Sequence, residues 1–167
     1  MAEAGKYCFL GEFEHTLDGQ RRLAIPSEWR VKEGDGRFVL LPARDNILQL
    51  LPFETFNEQI VSKARKMSLA DSGAMKALAE LGSRAQICEC DKQGRIQIST
   101  RLVEHAKLKG SAILAGSVSC VQIFASEARA KNLDESDSGF YDVLQNIHET
   151  PDTLADAFRG VLGEKQK

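Results

Sequence analysis

The feature that most constrains this chain is a copy of part of itself. Shifted by 73 residues, Asp18-Gly19-Gln20-Arg21-Arg22-Leu23-Ala24-Ile25 falls on Asp91-Lys92-Gln93-Gly94-Arg95-Ile96-Gln97-Ile98, with identities at Asp, Gln, Arg and Ile. The same shift, without a gap, sets Phe38-Val39-Leu40-Leu41 on Ser111-Ala112-Ile113-Leu114 and Leu48-Gln49-Leu50-Leu51 on Val121-Gln122-Ile123-Phe124. Coincident apolar positions in three separate segments mean two copies of one supersecondary unit, at 9–54 and 82–127.

Each copy reads as strand, tight turn, strand, short helix, strand, turn, strand. Leu23 and Ile25, like Ile96 and Ile98, alternate with neighbours at period two, and Asp18-Gly19 signals a two-residue turn. Pro26-Ser27 opens a short helix through Trp29, Ser99-Thr100 opens its counterpart through Leu102 and Ala106, and Gly34 and Gly110 end them. Strands follow at Phe38–Leu41 and Ile47–Leu51, around a turn at Pro42–Asn46; their counterparts surround Gly116-Ser117. Between the copies, 55–81 reads as a helical insert. Phe53, Phe56, Ile60, Ala64 and Met67 fall on one face, then Asp71-Ser72 caps a second helix carrying Met75, Leu78 and Leu81 before Gly82. The remainder, 128–167, reads as a helical tail with stripes at Phe140, Leu144, Ile147 and at Leu154, Phe158, Val161. These stripes suit packing against the β core or another subunit better than a ligand box. The fold class is α+β with a mainly β core.

Charge narrows the partners. Lys and Arg number 22 against 24 Asp and Glu, so the chain cannot coat nucleic acid or an anionic membrane by bulk charge, and any nucleic-acid contact has to be local. The acidity concentrates in the tail, where nine acidic and five basic residues follow from Glu127 on. The apolar runs are too short to span a bilayer and the N-terminus lacks a signal pattern, so a cytoplasmic protein with no membrane contact is expected. Cys8, Cys88, Cys90 and Cys120 match neither a disulfide framework nor a zinc knuckle; Cys88 and Cys90, two apart on a strand, share a face and read as packed thiols. No metal, cofactor or small-molecule substrate is expected. Phosphate-loop, dinucleotide, metalloprotease and serine-hydrolase motifs are absent, and the histidines His15, His105 and His148 are scattered. A pairing of His15 with Cys8 or Cys88 as base and nucleophile is conceivable if their strands are adjacent, but a half-buried strand histidine is the simpler reading.

What is duplicated is chemistry as well as fold. Each turn carries Asp-x-Gln-x-Arg, and a duplicated fold sets equivalent residues about a pseudo-twofold axis, so Arg22 and Arg95 form a symmetric pair. An arginine fork can donate two bonds to guanine O6 and N7 or to a phosphate, and a neighbouring carboxylate can hold it in orientation. Asp18 and Asp91 suit that organising role, since a carboxylate facing phosphate repels it. Gln20, Arg21, Lys92 and Gln93 add donors beside them, and together the eight residues make a candidate surface for double-stranded DNA. Two plainer readings compete: a hairpin braced by an exposed ion pair worth about 0–1 kcal/mol, and an interaction scaffold whose arginine turns bind an acidic protein.

At these residues the sequence resembles the MraZ family, in Gly11-Glu12-Phe13-Glu14-His15-Thr16-Leu17-Asp18 through Arg22-Leu23-Ala24-Ile25-Pro26 and again in Asp91 through Ile98. The resemblance covers residues 9 to about 127 and weakens in the tail. It implies two AbrB-like swapped-hairpin units forming a pseudo-twofold barrel with peripheral helices. It also implies a bacterial, nucleoid-associated regulator that assembles into homo-oligomeric rings. Such a regulator binds short promoter repeats of its own operon, in the division and cell-wall gene cluster, as a repressor, with Asp18, Arg22, Asp91 and Arg95 on the DNA-binding surface. The family usually has glycine directly before the first arginine, where this chain has Arg21; this adds a donor but takes a flexible residue out of the turn. It usually has proline where this chain has Ser99, which can still cap the following helix.

Overall fold

The structure, a computed structural model, describes residues 7–132. A compact unit extends to Ala128, and a second begins at Arg129. The described part is mainly β with a few helices. Copy one contains β1 (Glu12–Thr16), β2 (Arg22–Ala24), a single 3-10 turn at Ser27–Trp29, β3 (Arg37–Pro42) and β4 (Leu48–Pro52). After the insert come β5 (Gln86–Glu89), β6 (Arg95–Gln97), α4 (Thr100–His105), β7 (Ser111–Gly116) and β8 (Val121–Ala125). The insert holds α1 (Phe53–Phe56), a π turn (Asn57–Val61), α2 (Ser62–Ala64) and α3 (Ser72–Arg84), and α5 (Ser126–Asn132) opens after β8. The apolar stripes expected at 140–161 lie outside the described residues.

Strands pair between the copies more than within them. One six-stranded sheet runs in the order β1-β7-β8-β4-β3-β5, and β2 pairs with β6 in a separate two-stranded ribbon. The first strand of each copy therefore lies on the third strand of the other: Glu12 opposite Ala115 on one side, Arg37 opposite Glu89 on the other, both antiparallel. Two of the registers are symmetric. Gln49 faces Gln122, flanked by Leu48 opposite Ile123 and Leu50 opposite Val121. In the ribbon Leu23 faces Ile96, flanked by Arg22 opposite Gln97 and Ala24 opposite Arg95. These two pairings map onto themselves under the 73-residue shift, which is the signature of a local twofold, whereas β7 matches β3 at a shift of 74, so the ungapped alignment of Phe38 on Ser111 is out by one residue.

The expected closed barrel is not what forms. The sheets are open, with β1 and β5 at the two ends of the larger one. Leu17, just after β1, makes an isolated bridge to Leu23, and β1 itself forms its ladder with β7 rather than with the ribbon.

Period-two burial explains the layers. Leu23, Ile25, Ile96 and Ile98 are fully buried and meet Phe38, Leu40, Leu48, Leu50, Leu114 and Ile123 in the main core. Trp29 closes it edge-on to Phe9 and Phe13, with ring centroids at 6.0 and 4.9 Å. β3 is apolar on both faces because Val39 and Leu41, with Leu51, pack under Phe53, Phe56, Ile60 and Leu81 of the insert. The insert departs from its expected stripe at Met67, which is 46% exposed: α2 ends at Ala64 and the chain turns, Met67 N–H donating to Ala64 O. Asp71 caps α3 as anticipated, accepting from the Ala74 N–H at 3.0 Å, and the helix runs past Gly82 to Arg84. Ser99 caps α4 by accepting from Leu102 N–H.

Candidate nucleic-acid interface

The β2–β6 ribbon turns its Leu23 and Ile96 side chains into the core, so at period two Arg22, Ala24, Arg95 and Gln97 face outward. Each arginine is held by the aspartate four residues before it. In the first turn the Asp18 carboxylate accepts from the backbone N–H groups of Gln20 and Arg22, both at 2.9 Å, and from Arg22 Nε at 2.7 Å. In the second, Asp91 accepts from the N–H groups of Gln93 and Arg95 at 2.9 and 3.0 Å and from Arg95 Nε at 2.9 Å. Backbone bonds close both loops identically: Asp18 N–H to Arg22 O and Arg21 N–H to Asp18 O, then Asp91 N–H to Arg95 O and Gly94 N–H to Asp91 O.

These bonds lower the carboxyl pKa values. The Arg22 backbone N–H is the largest cause for Asp18, and the Arg95 backbone N–H, then its guanidinium, for Asp91, which drops to about 2. Both stay ionised at neutral pH, and each guanidinium keeps a fixed partner. The two sites also touch, with Arg95 Nη1 3.7 Å from Asp18 Oδ2, an electrostatic contact longer than a hydrogen bond. Side-chain exposures of 32% for Arg22 and 26% for Arg95 leave both forks reachable.

The structure thus brings Asp18, Arg22, Asp91 and Arg95 onto one ribbon. Gln20, Lys92 and Gln93 stand exposed on the turn tips. Arg21 differs: its backbone takes φ +59°, matching Gly94 at +76°, so arginine in glycine's place preserves the turn, and its Nε donates to Ile98 O at 3.1 Å. Two participants were not anticipated from sequence. Gln97 donates from Nε2 to Gln20 O at 3.1 Å, and Arg30 lays its guanidinium against Gly94 while its Nε donates to Ile25 O at 2.9 Å. Neither follows a repeated motif, because the positions equivalent to them are Ala24 and Val103.

The base and nucleophile pairing of His15 with Cys88 does not form, since β1 and β5 are opposite edges of the sheet. His15 stacks on Phe13 instead, at 6.4 Å. Cys88 is buried, its thiol pushed up to about 12 by desolvation, and Cys90 packs against the same core. Among the described residues no helix is long and apolar enough to cross a membrane, and no group of three or more His, Cys, Asp or Glu could hold a metal ion.

Fold and site together define a tandemly duplicated, mainly β protein that presents a matched pair of carboxylate-held arginines on a ribbon shared by its two copies. Residues 8–78 and 81–143 each match the MraZ protein family, described as antitoxin-like. The chain belongs to the MraZ family, and the match runs beyond the 127 at which the resemblance was expected to weaken. Among its relatives, the transcriptional regulator MraZ of Thermoanaerobacter pseudethanolicus is 33% identical over 140 residues, covering 84% of this chain and 96% of the relative. That of Ligilactobacillus salivarius is 32% identical over 139 residues, covering 83% and 96%. That of Alkaliphilus metalliredigens is 30% identical over 141 residues, covering 84% and 97%. These relatives are named as transcriptional regulators, not as enzymes.

Proposed function

We propose that this chain is a sequence-specific DNA-binding transcriptional regulator that reads promoter DNA through Arg22 and Arg95. The observation that carries the reading is the duplicated turn: two arginines, each oriented by its own ionised aspartate, facing outward from one short ribbon. A guanidinium already held in one orientation meets guanine O6 and N7 with little ordering cost, while Asp18 and Asp91 organise and stay off the phosphates. Gln20, Arg21, Lys92 and Gln93 supply flanking phosphate or base-edge contacts. In this reading the exchange of strands between copies is the AbrB-like swapped hairpin, and 9–54 and 82–127 are its two units.

With so few cations per chain, one subunit binds weakly. A homo-oligomeric ring on tandem promoter repeats would raise avidity by on the order of 10²–10⁴-fold. The family resemblance extends the reading to repression of the chain's own promoter in the division and cell-wall cluster, in the cytoplasm at the nucleoid.

Fluorescence anisotropy with a duplex from the upstream region of the gene, against a scrambled duplex at two salt concentrations, tests it. Arg22→Ala and Arg95→Ala are each expected to cost about 1–3 kcal/mol and relax base preference, whereas Lys92→Ala weakens all sequences alike and lowers the salt slope by about one. Equal affinity of wild type for both duplexes refutes the reading and favours the scaffold, whose arginine turns would bind an acidic protein partner.

A further inference from the structure

The two turns share a geometry, yet they are not held in the same way. Each is clasped by an isoleucine of the other copy. Ile98 N–H donates to Arg21 O at 2.9 Å in the first turn, and Ile25 N–H donates to Gly94 O at 2.9 Å in the second. Under the 73-residue shift these bonds are the same bond. The carbonyl of each isoleucine is then capped by a guanidinium, and here the equivalence ends. Ile98 O accepts from Arg21, the clasped residue itself. Ile25 O accepts from Arg30, six residues beyond the end of β2 at the close of the 3-10 turn, and that guanidinium lies against Gly94. A Cβ at Gly94 would fall 2.1 Å from Arg30 Cζ, so the arginine fills the space through which a side chain at 94 would leave. The position equivalent to Arg30 is Val103, packed against the main core, and it brings no guanidinium to the first turn.

We infer that Arg30 is a positioning residue for Arg95. A side chain of copy one fixes the second turn by holding Gly94 between its own guanidinium and the Ile25 N–H, and Gly94 directly precedes the arginine that faces outward. Arg21 does the same for Arg22 from within the first turn. One device, a guanidinium on an isoleucine carbonyl, is thus supplied from two non-equivalent positions. The second turn depends on copy one twice, through Ile25 and Arg30, with the Asp18 contact to Arg95 as a third tie. The part of this inference that concerns DNA rests on the reading of Arg95 proposed above; the clasp itself does not.

The test uses the full chain in four forms: wild type, Arg30→Ala, Arg30→Lys and Arg21→Gly. Amide hydrogen exchange reads the clasp without DNA. Arg30→Ala and Arg30→Lys are expected to speed exchange at Gly94, Arg95 and Ile25 roughly tenfold while leaving Arg21 and Arg22 unchanged; Arg21→Gly does the reverse. Lysine keeps the charge but lacks the planar fork and the Nε donor, so it does not rescue. In anisotropy, both Arg30 variants are expected to lower the ratio of operator to scrambled-duplex affinity by roughly tenfold, with the salt slope unchanged in both. Equal acceleration at both turns, no acceleration, or rescue by lysine in either readout overturns the inference. Wild type that binds without selectivity, alongside the expected exchange pattern, overturns the DNA reading and leaves the clasp standing.

Discussion

Gly94→Ala adds a single methyl to the second turn, and the structure sets out what that methyl meets. The residue sits at φ +76°, where any L side chain costs about 1–2 kcal/mol. The new Cβ would lie 2.1, 2.2 and 2.5 Å from Cζ, Nε and Nη2 of Arg30, against the roughly 3.5–4.0 Å of ordinary contact. Because those atoms end a flexible side chain, the arginine swings away and the backbone stays. The cost is then what the arginine was anchored to, its hydrogen bond to Ile25 O, about 0.5–1.5 kcal/mol. The sum is about 2–3 kcal/mol. Arg30→Ala should cost the second part only, and Gly94→Ala in that background the first part only, so the double variant is milder than the singles predict by about 1 kcal/mol. Urea denaturation of the four proteins, with equal m values, measures the cycle. Gly19→Ala is the neutral control, since nothing lies within 4 Å of its added carbon. Additivity within about 0.3 kcal/mol would refute the contact between Arg30 and Gly94, and with it the argument for a second turn built around that glycine.

Acid stability should carry the mark of the turns. A carboxyl whose folded pKa is depressed contributes stability that is complete above its unfolded value of 3.8 and fades as pH falls toward the folded value, about 2 for Asp91. The acid limb of the stability curve between pH 4 and 2 is therefore expected to flatten in Asp91→Asn. A carbon-13 titration of Asp91 with a midpoint at or above 3.8 would contradict the hydrogen-bonded turn. Thiol labelling should be graded: Cys8 is exposed, whereas burial raises the thiols of Cys88, Cys90 and Cys120. Iodoacetamide at pH 8 is expected to modify Cys8 first and Cys88 only on unfolding, and peptide mapping that finds the two equally fast would overturn the placement of Cys88 in the core.

Much of this was legible in the sequence, for reasons tied to particular residues. Alternation places Leu23, Ile25, Ile96 and Ile98 inward whatever their partners are, and the Asp-x-x-x-Arg spacing suits a carboxylate that accepts two turn amides and then the guanidinium of the strand beyond. Strand partners were not legible. Periodicity along β1 says which face is apolar and nothing about whether its neighbour is β2 or β7, so strand exchange was an expectation of the family resemblance alone and the open sheet was not foreseen. Arg21 was expected to bear on the turn geometry, but its φ of +59° reproduces what glycine does at 94, because backbone bonds and the Ile98 carbonyl hold it there. Arg30 and Gln97 are not announced by any repeated spacing, because Gln97 reaches Gln20 and Arg30 covers Gly94 across the interface between copies from positions whose equivalents are Ala24 and Val103. Met67 was misplaced because a stripe at helical period continues in sequence after the helix has turned away.

The reciprocal lending of first strands makes the chain resemble a homodimer whose subunits have been joined. Cut in the segment between the copies, it would yield two fragments, each missing an edge strand that only the other owns, and reassembly would become a bimolecular event sensitive to concentration. Joining them also released a constraint. In a true homodimer any change appears at both equivalent places, whereas here the two halves share one symmetry but mutate separately. Arginine at one turn and glycine at the other, each with a guanidinium obtained from a different source, is what such independence permits: a symmetric scaffold able to evolve an asymmetric reading of its partner, one half at a time.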